Sequence, residues 1–238
     1  MPPRPPEHRH RPAEVLSAIQ LRTERHIGAL APDQRAAAEA VITSGRLLDV
    51  LVGPAGSGKT TTLAALSSFW RHGIGSVVGL APSATAARAP AESLRVPYET
   101  TAKWLHESIG DGATTRALRY ADAVARKASR DYPEQRAATE EHWRLRAEQD
   151  QRRFSPGKLV IIDEASLADT RTLAAIVEQA RAATAKVLLV GDHLQRGSVH
   201  AGGAFGMLAR RGPTAELTSL WRFSQPWEAR ASLELPGQ

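Results

Sequence analysis

At 238 residues the chain is long enough for one large domain with a substantial core. Hydrophobic residues make up 42% and aromatics only 5%, so that core must be mostly aliphatic, as in layered α/β proteins. The absence of cysteine excludes disulfides and thiolate metal sites, and a net charge of +6 admits nucleic acid as a partner without requiring it.

No run approaches the roughly 18 apolar residues of a membrane span, and the N-terminus lacks the apolar centre of a signal peptide, so the expectation is a soluble, cytoplasmic chain with no membrane partner. Residues 1–12 hold five prolines, three arginines and two histidines, and are expected to be disordered. His8 and His10 lack a second ligand pair and read as tail rather than metal site. Val15, Ile19 and Ile27 space a weak helix over 13–30, and Pro32 then opens a firmer one through Ala38 and Val41, because proline suits a first helical turn.

Short apolar runs at 47–52, 76–81, Leu159–Ile162 and 186–190 then alternate with helical stretches, among them 59–70 and 173–180. In the latter, Leu173, Ile176, Val177 and Ala180 recur at i, i+3, i+4 and i+7. This alternation predicts an α/β fold, a parallel sheet with helices on both faces. Gly110 and Gly112 flank Asp111 and should break the chain. The following segment, placed at 111–157, is rich in Ala, Arg and Glu and reads as a charged helical insertion. No internal repeat is visible.

Gly53, Pro54, Ala55, Gly56, Ser57, Gly58, Lys59 and Thr60 follow one apolar run directly and open a helical stretch, the spacing and context of a phosphate-binding P-loop. Its glycines let backbone N–H groups of the loop and of the helix start, Thr61 included, approach phosphate oxygens. Lys59 reaches the β- and γ-phosphates, and Thr60 holds Mg²⁺, so the implied cofactors are a nucleoside triphosphate and Mg²⁺. Asp163 and Glu164 end a buried run, which places them at the carboxyl edge of the sheet where ligands of open α/β folds bind. Asp163 suits Mg²⁺, and Glu164 suits deprotonating an attacking water. Past another run, Gln195 either senses the γ-phosphate or is an ordinary polar loop residue; His193 reads as a loop residue.

Together these segments resemble superfamily 1 DNA helicases of the RecD type, most nearly the helicase region of TraA- or TraI-like conjugative relaxases. Leu30-Ala-Pro-Asp-Gln34 is similar to that family's adenine-recognition motif, which implies that Gln34 reads the base. The P-loop matches motif I, and Leu80-Ala-Pro-Ser-Ala-Thr85-Ala-Ala-Arg88 resembles the segment that contacts single-stranded DNA. Thr100-Thr101-Ala-Lys-Trp104-Leu105 looks like the family's next helix start, 160–166 like motif II, and 191–195 like motif III. Leu217-Thr-Ser-Leu-Trp221-Arg222-Phe223 resembles motif IV, which implies Arg222 as an arginine touching the γ-phosphate.

The resemblance implies a three-layer, RecA-like P-loop NTPase lobe over 13–212, with a second lobe beginning at 213. It further implies sequence-tolerant binding of single-stranded DNA, with Lys103, Trp104 and Arg88 as candidate contacts. For Trp104 the competing reading is core packing beside Leu105. Two departures stand out locally: Arg196 in place of the family's leucine, and Pro90 inside a stretch that should be continuous helix. The largest is that the chain stops soon after motif IV, so the expectation is a truncated or split motor with weak hydrolysis alone, and a second motor lobe or relaxase on another chain is a candidate partner. A non-motor nucleotide switch or scaffold, or a non-functional remnant, are the alternatives.

Overall fold

The computed structural model describes residues 24–192 and 203–219. Its sheet contains β1 (Leu48–Val52), β2 (Val77–Ala81), β3 (Tyr98–Thr100), β4 (Leu159–Ile162), β5 (Lys186–Gly191) and β6 (Thr214–Glu216), every neighbouring pair parallel. Four of these are the apolar runs of the sequence. The other two, β3 and β6, are additions at the edges of the strand order β3-β2-β4-β5-β1-β6; each has three residues, none of them buried, so neither produces an apolar run.

Residues along the central strands point alternately to two cores. Leu51, Leu159, Ile161, Leu188 and Val190 face one cluster, shared with α1 (Pro32–Thr43), α2 (Lys59–Gly73) and α3 (Ala84–Leu94) through Val41, Leu63, Leu66, Trp70 and Leu94. Val50, Val52, Val160, Ile162, Val187 and Leu189 face the other. That second face is covered by α4 (Thr101–Ser108) and, beyond a hairpin of α5 (Asp111–Arg126) and α6 (Tyr132–Gln151), by α7 (Thr170–Ala182) and α8 (Gly203–Arg211). The result is the expected three-layer α/β architecture. Burying each of these side chains contributes about 1.5–3 kcal/mol, which is why strands of four to six residues suffice.

The sequence reading differs from the structure at α3. Its helix runs through Pro90 to Leu94 instead of breaking there, with Ser83 capping its start by accepting the Ala86 N–H at 3.1 Å. Proline offers no N–H to the carbonyl four residues back, on Ala86, and its ring crowds that carbonyl. Both Ala86 and Pro90 line the cleft described below.

The strand order explains where a ligand can enter. The chain leaves β1 between β5 and β6, crosses to β2 on the far side of β4 and β5, and returns through β4. Such a reversal opens a crevice outside the carboxyl ends of the strands. At the opposite edge Lys186 pairs with Asp49 at 2.6 Å and donates to the carbonyls of Ser44 and Arg46, closing that end of the sheet.

Candidate nucleotide-binding site

The loop from Gly53 to Gly58 joins the carboxyl end of β1 to the N-terminus of α2. Gly56 and Gly58 have φ of 83° and 84°, left-handed values that side-chain-bearing residues rarely adopt. Gly53 is required for a different reason: a Cβ there would lie 2.5 Å from Ser57 Oγ. With no side chain in the way, the loop curls so that the first N–H groups of α2, at Lys59, Thr60 and Thr61, form an orphan donor set.

Lys59 Nζ donates to the carbonyls of Gly53 (2.6 Å) and Pro54 (2.9 Å), lying back across its own loop. Burial pushes its pKa down, and the charges of Asp192, Asp163 and Glu164 pull it back up. Across the cleft, burial pushes the Asp163 carboxyl up, while the Glu164 N–H donated to it at 2.9 Å and the Lys59 charge oppose that shift. Glu164 has φ 50° and ψ 36°, a left-handed corner that leaves its side chain exposed while Asp163 stays half-buried.

One cleft of about 450 Å³ unites these groups. Ala55, Gly56, Lys59 and Thr60 line one wall; Asp163 and Glu164 line another. Four further polar residues of the cleft, Ser83, Thr85, Ser166 and Asp192, lie within the sequence motifs and carry no role in the sequence reading. Asp192 is 8% exposed and close enough to Lys59 to raise its pKa. A buried acid directly after a strand is the signal that could have found it.

The chemistry of this donor set fits a nucleotide phosphate and a small hard cation. An ammonium and a helix N-terminus answer negative charge, and the Ser57 hydroxyl is fully buried with no hydrogen-bond partner among the described residues. Among the described residues no cluster of three or more carboxylate or imidazole ligands forms. Asp163 and Thr60 could hold such a cation together with phosphate oxygens, an arrangement that suits Mg²⁺.

Gln34 lies behind the loop. It is buried, its Nε2 donates to the Ser57 carbonyl at 3.4 Å, and its Oε1 accepts the Ala31 N–H at 3.4 Å. Its neighbour Asp33 accepts the N–H groups of Thr218 and Ser219 at 3.1 and 3.0 Å, tying the chain after β6 to the start of α1. Trp104 takes the core reading and not the surface one: it is 2% exposed, stacks on Phe154 with ring centroids 4.5 Å apart, and donates its Nε1 to Gln179. It cannot offer a face to a DNA base. Lys103 and Arg88 are exposed, Lys103 pairing with Glu99 at 3.1 Å. Gln195, Arg196, His193, Arg222 and the N-terminal tail lie outside the described residues.

Comparison with known proteins bears on this geometry directly. The AAA domain family matches residues 29–237. The chain is 30% identical over 222 residues to the probable conjugal transfer protein TraA of Sinorhizobium fredii (strain NBRC 101917 / NGR234). It is 30% identical over 221 residues to the conjugal transfer protein TraA of Rhizobium radiobacter, and 27% identical over 221 to that of Agrobacterium fabrum (strain C58 / ATCC 33970). Each match covers 93% of this chain but spans 16% of the length of the relative. The relaxase-type resemblance read from the motifs is met by these relatives. No helix among the described residues is long and apolar enough to cross a membrane. The chain belongs to the AAA domain family, as a nucleotide-binding P-loop domain similar to one region of the TraA proteins.

Proposed function

We propose that this chain is the ATP-binding lobe of a DNA helicase-type motor of the conjugative relaxase kind, linking ATP binding and hydrolysis to single-stranded DNA. The observation that carries the reading is the convergence of Lys59 and Thr60 with Asp163 and Glu164 in one cleft at the switch point of the sheet.

The chain's own residues divide the work. The α2 N-terminus and Lys59 offset phosphate charge, Lys59 exchanging its bonds to the Gly53 and Pro54 carbonyls for phosphate oxygens. Thr60 and Asp163 hold the cation. Mg²⁺, when bound, neutralises charge that develops on the phosphate oxygens. Glu164, exposed at its left-handed corner, accepts the proton of the attacking water. Gln34 braces the loop through Ser57, which supports a role in holding the base side of the site. On the same reading Gln195 and Arg222 complete the γ-phosphate side, and Lys103 and Arg88 supply cationic contacts to a DNA backbone.

Lys59→Ala tests it. With Mg-ATP at about a hundred times its dissociation constant, bound nucleotide should stabilise the wild-type protein by about 2.7 kcal/mol. The variant should lose most of that stabilisation and keep the far-ultraviolet circular dichroism of the parent. Equal nucleotide stabilisation of both proteins would sink the proposal. Stimulation of turnover by single-stranded DNA then separates a motor lobe from a nucleotide switch that has no DNA partner.

A further inference from the structure

Three residues past Asp163 stands a serine that the mechanism above does not use. Ser166 is 4% exposed, and among the described residues its Oγ has no hydrogen-bond partner. Buried hydroxyls are nearly always satisfied, and leaving one orphaned is unfavourable. An alanine would fill the same place without that cost, as Ala165 does one residue earlier at 0% exposed. The hydroxyl therefore calls for a partner that the described residues do not supply.

Local geometry says where that partner sits. Glu164 turns the chain at its left-handed corner, and the 3₁₀ turn Ala165–Leu167 follows at once. The Leu167 N–H donates to the Glu164 carbonyl at 2.9 Å and closes the turn. Ser166 lies in the middle of that turn, and both Ser166 and Asp163 line the nucleotide cleft. The remaining side chains of that wall, Asp163, Glu164 and Asp192, are acceptors when ionised. Ser166 adds beside them a group that can donate and accept through one atom.

We propose that Ser166 is a further functional residue of the cleft, whose hydroxyl holds the water on the Glu164 side of the γ-phosphate position, donating to its oxygen while Glu164 takes its proton. This deepens the ATP-site reading and rests on it. The assignment concerns a hydrogen bond to a ligand water, so it is expected to show in nucleotide states that order that water and to be silent in those that do not.

The experiment compares Mg-ADP with Mg-ADP-aluminium fluoride, which mimics the transferring phosphoryl group with its water in place, on wild type, Ser166→Ala and Ser166→Thr. Binding is read calorimetrically and needs no turnover. Ser166→Ala should leave the ligand-free melting temperature unchanged or raised and Mg-ADP affinity within about twofold. It should weaken the aluminium fluoride complex about three- to tenfold, the range for one hydrogen bond between neutral groups. Ser166→Thr, which keeps the hydroxyl, should restore most of that loss. If Ser166→Ala binds both ligands as wild type does, the proposal for Ser166 fails while the ATP site stands. If it lowers the ligand-free melting temperature and weakens both ligands alike, the serine is structural and the proposal also fails. If the wild type binds neither ligand, the ATP-site reading fails and takes this proposal with it.

Discussion

The sheet and the α5–α6 hairpin are held by different forces. In β4 and β5 every residue is buried, and the strands carry the cleft's acidic groups at their ends. The hairpin buries little: Ala123, Ala138 and Leu145 are fully covered, while Leu118 and Trp143 are 69% and 58% exposed. Its two helices are laced by ion pairs, with Glu141 as hub for Arg119 (2.9 Å), Arg126 (2.6 Å) and Arg144 (3.7 Å). Apolar burial fixes the sheet in one register, because a slip of one residue would exchange its two faces. Exposed ion pairs contribute little and are screened by salt. The element that positions chemistry is thus the one with the deeper core, and the hairpin is the part expected to open on its own.

The largest expected effect breaks the sheet. Ile161→Ala removes a fully buried side chain from the middle of β4 and leaves a cavity walled by Leu159, Leu188 and α2. It should cost about 4 kcal/mol in urea unfolding, within the range for such truncations. A loss under about 1 kcal/mol would mean that the sheet does not hold the deeper core. Leu145→Ala is the matched truncation in the hairpin, also at 0% exposed. It should cost about 2 kcal/mol, less than in the sheet because two helices can close over the gap more easily than a strand fixed on both faces. Hydrogen exchange should speed up over 111–151 while β4 keeps its protection, the signature of a separate opening unit. Exchange that rises equally in both would erase the distinction.

Much of the sheet is legible in the sequence because its determinants are local. Apolar runs give β1, β2, β4 and β5, and glycines at fixed spacing give the loop. The edge strands are not legible, since Tyr98-Glu99-Thr100 and Thr214-Ala215-Glu216 are short and contain no buried residue, and only their pairing with β2 and β1 makes them strands. Trp104 carries two readings until Phe154, fifty residues later, is seen stacked on it. Ser166 is invisible for a related reason. Its spacing from Asp163 is plain in the sequence, but the burial that orphans its hydroxyl depends on the whole fold. Pro90 misleads because a helix rule is applied where the missing hydrogen bond falls at a cleft wall.

The smallest effect sharpens the comparison from the hairpin side. Glu141→Gln removes the hub charge and keeps the shape. Hydrogen bonds from Arg126 and then Arg119 hold the Glu141 carboxyl below its ordinary range. A carboxyl with a depressed folded-state pKa contributes stability that is present above its unfolded value and lost as pH falls through the folded one. Wild-type hairpin protection should therefore decline on acidification through the region below the ordinary glutamate pKa, while the variant, with nothing there to titrate, should lack that component. At neutral pH the variant should exchange faster over 111–151 in low salt. At about 1 M salt, where the screening length falls to about 3 Å, the two proteins should converge. The Leu145→Ala defect, being apolar, should survive that salt, so the two substitutions assign the hairpin's stability to its two sources. A Glu141→Gln defect that persists unchanged at high salt would show that the hub acts through packing, and the contrast between a buried sheet and an ion-laced hairpin would have to be withdrawn.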